Sequence, residues 1–164
     1  MSHLLVWGLR QARHQTLALV DDLAEEQICL QSVPGEHHPA WVLGHILLGD
    51  VYLLALLKAP AVPEEFPALL RAYGPGAPPT PSAGRYHSKQ VLVDRLARTG
   101  ARRLQAISAM TMEDLARATP DDTLARAQPT IGHHLHALLF HEGYHGGQLS
   151  SCGALGVFPQ PAGA

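Results

Sequence analysis

Two histidines stand four residues apart in Phe140-His141-Glu142-Gly143-Tyr144-His145-Gly146-Gly147-Gln148. At ~100° per residue, four helical steps bring both imidazoles to one face. That is a metal-chelating pair that needs a third ligand. His45 supplies it. Trp41, His45, Leu48 and Tyr52 fall at helical spacing and share one face, so His45 sits between bulky residues on a core-facing side. Three imidazoles leave positions open on an ion, which is the pattern of a reactive rather than a closed structural metal. Spacing does not choose among zinc, nickel, iron and copper. The expected ion is divalent, with zinc or nickel first.

The neighbours of the pair carry the same pattern. With His141 at zero, His145 falls at ~+40°, Gln148 at ~−20°, and His134 and Cys152 at ~+20°. Leu138 and Leu149 flank this stripe and mark it as the buried face. His134 lies two turns from His141, ~10 Å along the axis, too far to share one ion with it. It reads as structural or pocket-lining. Cys152 reads as core packing, because a free cysteine behaves as a small hydrophobe. His37 and His38 read as solvated or capping, as do His133 and His136.

Four long helices must position these groups. The first spans Ser2–Leu23, with an apolar stripe of Leu5, Leu9, Ala12, Thr16, Leu19 and Leu23, and with Arg10, Arg13 and Asp21 off it. The second starts at Pro39, which suits a first helical turn, and ends near Lys58. The third runs from a Ser88 cap to Met110 and carries Arg95, Arg98, Arg102 and Arg103. The fourth runs from Thr130 to Leu155, ended by Gly156 and Pro159. Ala59–Ser82 is rich in Pro and Gly and reads as a long crossover between helices two and three. A short helix is expected at Glu64–Ala72 and a mobile tip at Gly74–Pro81. The expected fold is a single all-α domain, a four-helix bundle.

Composition agrees with that class. Hydrophobic residues make up 46% of 164, enough for one core. Leu and Ala dominate the apolar set, which favours helices over strands. A net charge of −2 gives no footprint for nucleic acid. No uninterrupted apolar run reaches the ~20 residues of a membrane span, and no signal peptide is visible. Cys29 and Cys152 make no disulfide framework, so a reduced, cytoplasmic protein is expected.

The residues quoted above resemble a known family. Trp41-Val42-Leu43-Gly44-His45 with Asp50 looks like the second-helix motif of the DinB-like superfamily. His141-Glu142-Gly143-Tyr144-His145-Gly146-Gly147-Gln148 looks like its fourth-helix motif. The resemblance covers nearly the whole chain. It implies a metal site of His45, His141 and His145, and a homodimer formed through bundle faces. Members with known activity include maleylpyruvate isomerases and metal-dependent transferases of bacillithiol, mycothiol or glutathione. One position departs: where the family often carries a basic residue, this chain has Gly146.

The leading expectation is therefore an enzyme that activates a low-molecular-weight thiol on the metal and transfers it to a small-molecule electrophile. Tyr52 and Gln148 are candidates to orient substrate, Glu142 or Asp50 to support the ligands, and the helix-three arginines to hold a carboxylate. Metal-dependent hydrolysis is the second reading, with Glu142 as the only nearby carboxylate on helix four to serve as base. The third is a non-catalytic, stress-induced metal-binding dimer.

Overall fold

A computed structural model describes residues 2–57 and 66–154. Among these the fold is all-helical, with one isolated bridge between Ala118 and Thr130 as the sole extended pairing. The long helices are α1 (Ser2–Ala18), α2 (Pro39–Leu56), α4 (Lys89–Ser108) and α7 (Ile131–Ala154). Three short ones are α3 (Phe66–Tyr73), α5 (Met112–Ala116) and α6 (Asp122–Ala125). α1 packs on α4 and α7, while α2 packs on α3, α4 and α7. Lys58, Glu64, Glu65 and everything from Leu155 on lie outside the described residues.

α2 is the central element. Pro39 occupies its first turn, and the buried His38 caps it by accepting from the Trp41 amide at Nδ1 (3.3 Å). Its other ring nitrogen, Nε2, donates to the Thr80 carbonyl at 3.0 Å. α2 is apolar all round and packed on nearly every side. By length and composition it would pass for a membrane span, but 78% of it is buried inside the protein.

α1 is shorter than its apolar period predicts. It ends at Ala18, and Val20 and Leu23 reach the core from looser turns. Hydrogen bonds there run from Val20 to Leu17 and from Leu23 to Val20, a tighter three-residue pattern. The Lys89 ammonium donates to the carbonyls of Asp21 and Leu23, giving this end partners from another helix.

α4 starts after Ser88, whose hydroxyl accepts from the Val91 amide. Its buried stripe is Leu92, Leu96, Gly100, Arg103 and Ile107, with Arg103 among the most enclosed side chains. In α7, the Thr130 hydroxyl accepts from the His133 amide and opens the helix. The expected mobile tip is tied down instead. Ala77 and Thr80 accept hydrogen bonds from Trp41 and His38, and Pro79 accepts one from Gln31.

Candidate metal centre

The ring nitrogens of the three histidines converge. His141 Nε2 lies 3.1 Å from His45 Nε2 and 3.1 Å from His145 Nε2. One ligand atom from each residue lies within 4.8 Å of the others, a group that could hold a metal ion. Two nitrogens bound to one tetrahedral zinc at ~2.0–2.1 Å would stand ~3.3 Å apart, close to this spacing.

The opposite ring atoms fix which nitrogen faces inward. His45 Nδ1 donates to the Tyr73 backbone carbonyl at 2.6 Å. His145 Nδ1 donates to the Gln148 carboxamide oxygen at 2.7 Å. In both rings Nε2 is then the lone-pair atom, aimed at His141. With His141 in the same tautomer, three lone pairs meet at one point, a donor set that fits a divalent ion. Burial, then the proximity of His45, pushes His141 down to about 4 from the ordinary 6.5. Burial, then His141, does the same for His145. Both rings are neutral near pH 7, the form that ligates.

Local sequence explains the placement. His141 and His145 are one turn apart on α7. Trp41, one turn before His45 on α2, stacks on its ring with centroids 4.6 Å apart. Gly44 lies against the Tyr73 ring, which a Cβ there would overlap, so glycine lets α3 bring the Tyr73 carbonyl to His45.

His45 and His141 line a cavity of about 650 Å³ between α2, α3 and α7. Leu48, Tyr52, Phe66, Leu138 and Phe140 form much of its wall, with His134 and Gln128 its polar members. A slightly larger groove of about 700 Å³, near Leu4, Met112 and His136, contains none of the three ligands.

The residues considered for substrate handling are dispersed. Tyr52 lines the cavity, and its hydroxyl donates to Asp121 at 2.7 Å. Burial, then that contact, raises its phenol to about 12. His134 lines it too, with Nδ1 hydrogen-bonded to the Gln128 carboxamide oxygen. Gln148 is not in the cavity wall; it orients His145. Cys152 is buried in the core cluster.

Glu142 turns the other way. Its carboxylate meets Arg13 Nε at 2.6 Å and Arg103 at 3.1 Å. Asp50 pairs with Arg13 at 2.9 Å and Arg103 at 2.6 Å, and accepts from Thr99 at 2.9 Å. These four residues form a buried, formally neutral quartet beneath the metal helix. Arg13 lies off the apolar stripe of its helix, and Arg103 is one of four arginines on a basic helix. Burial beside two carboxylates overrides both placements. Gly100 makes room, because a Cβ there would press on the Arg13 guanidinium at 2.9 Å. No helix-three arginine lines the cavity: Arg103 is in the quartet, while Arg98 and Arg102 are exposed.

The fold is all-helical among the described residues and gathers at the edge of an apolar cavity three imidazoles that could hold a metal ion. The sequence profile of the DinB superfamily matches residues 8–149. The chain therefore belongs to the DinB superfamily. A search of curated proteins gives no significant match.

Proposed function

We propose that this protein is a metal-dependent thiol S-transferase built on a four-helix bundle of α1, α2, α4 and α7. His45, His141 and His145 would hold zinc or nickel through Nε2. The observation that carries this reading is the opening of a three-imidazole cluster onto a mostly apolar cavity, with His45 and His141 in its wall. The bound ion supplies acidity, lowering the pKa of a low-molecular-weight thiol so that it is a nucleophile at neutral pH. The chain's own residues do the rest. Tyr73 and Gln148 hold two ligand rings in place, and Leu48 and Phe66 exclude water around an electrophile. Tyr52 presents its oxygen to the substrate while its proton stays on the Asp121 side.

Transfer is favoured over hydrolysis by one feature. A water nucleophile calls for a nearby base, and Glu142 is held by Arg13 and Arg103. Cobalt substitution tests the proposal. Cobalt bound by three imidazoles should develop a sulfur charge-transfer band on addition of glutathione or another thiol. His45→Ala should lose both metal and band. A metal-free protein as purified that binds neither zinc, nickel nor cobalt would refute it.

The same reading includes a homodimer. Leu4 and Trp7 on α1 and Tyr144 on α7 offer exposed apolar surface for it, and sedimentation tests it.

A further inference from the structure

Four buried side-chain atoms have no hydrogen-bond partner among the described residues: Ser32 Oγ, Thr80 Oγ1, Arg103 Nε and His134 Nε2. Of these residues only His134 lines the cavity beside the metal cluster. His134 is 4% exposed, and its Nδ1 is committed to the Gln128 carboxamide oxygen. A neutral ring that donates at Nδ1 carries an acceptor lone pair at Nε2. A buried lone pair with no donor costs stability that a ligand donor would restore.

The rest of the wall agrees in character. Tyr52 donates its O–H in a hydrogen bond to Asp121, so toward the cavity it offers an acceptor oxygen. No Lys or Arg is among the described lining residues, and the neutral donor beside His134 is the Gln128 amide N–H. At the His134 end, away from the three-histidine cluster, a carboxylate or phosphate would be desolvated with no cation among the described lining residues to meet it. His134 stands two helical turns from His141, so ~10 Å separates the two ends along α7.

We infer that the cavity binds an uncharged, largely apolar molecule whose distal hydroxyl donates to His134 Nε2 while its reacting end lies at the metal cluster. This inference rests on the transferase reading for what occupies the metal end. The cavity end rests on His134 alone.

Calorimetric titration of zinc-loaded protein with octanethiol, mercaptooctanol and mercaptooctanoate tests it. Mercaptooctanol should bind at least about tenfold tighter than mercaptooctanoate, since a charge is the costlier group to bury. His134→Phe should weaken mercaptooctanol several-fold and leave octanethiol unchanged, which a merely structural role for His134 would not do. Equal binding of the carboxylate, or a loss shared by all three thiols, overturns the inference. If none of the three binds, the thiol reading fails instead. Octanol against octanoate on the metal-free protein then tests the cavity alone, and octanol failing to bind the tighter overturns the inference. Should His134→Phe not fold, the nitrogen NMR shift of His134 Nε2 in the intact protein replaces it. Mercaptooctanol should move that shift and octanethiol should not; no movement overturns the inference.

Discussion

Glu142 follows His141 directly in the chain, yet its carboxylate points to the far side of α7 and meets Arg13 of α1 at 2.6 Å. One residue of α7 faces the metal cluster, and the next anchors the helix to α1 and α4. Removing one partner from such a buried set leaves an unpaired charge, at a cost of about 3–5 kcal/mol. Arg103→Met should therefore lower the urea midpoint sharply. Glu142→Gln should also destabilise, while zinc affinity in the folded fraction stays near that of the parent. A large loss of affinity with unchanged stability would instead place Glu142 at the metal.

Gly44→Ala should act at a distance of one residue from His45. The added methyl overlaps the Tyr73 ring, so α3 must shift and the carbonyl that receives His45 Nδ1–H moves with it. Loss of such an outer partner typically weakens metal binding by about 10–100-fold. Competition with a chromogenic chelator measures it.

Gln148→Leu should weaken zinc by a similar factor, about 10–100-fold, because His145 loses the acceptor that fixes its ring. Gln148→Glu restores an acceptor at the same reach. Zinc affinity measured for both variants should separate, with the glutamate near the parent and the leucine well below.

The acid limb of stability should carry the signature of His38. Burial, outweighing its carbonyl contacts, lowers its pKa from the usual 6.5. The unfolded chain then binds the proton more readily. The contribution is fully present above 6.5 and is lost as pH falls through the lower folded value. Protonation at Nδ1 also removes the acceptor that caps α2. His38→Asn keeps a capping oxygen without titrating. Its unfolding free energy should fall less steeply than the parent's between neutral pH and the acid transition, as denaturant titrations at several pH values would show.

The convergence of the three histidines was legible because each of its parts is local. His141 and His145 share a face by helical spacing, and His45 lies among bulky residues on a strongly apolar helix. The Arg13–Asp50–Arg103–Glu142 quartet was not legible. A charged residue off an apolar stripe ordinarily meets solvent, and partners 37 to 129 residues away leave no periodic trace. The end of α1 was misread for a related reason. Leu19 and Leu23 keep an apolar spacing that turns satisfy as well as helix does. The Tyr73 contribution was hidden altogether, because a backbone carbonyl has no residue identity to read.

That last point governs how the centre can vary. The partner of His45 Nδ1 belongs to the main chain, so no substitution at Tyr73 deletes it. Its position depends on how α3 sits against α2, which the contact of the Tyr73 ring with Gly44 sets. A shift of α3 should therefore change how the three imidazoles meet without altering any of them. The centre is adjustable from a helix that carries none of its histidines.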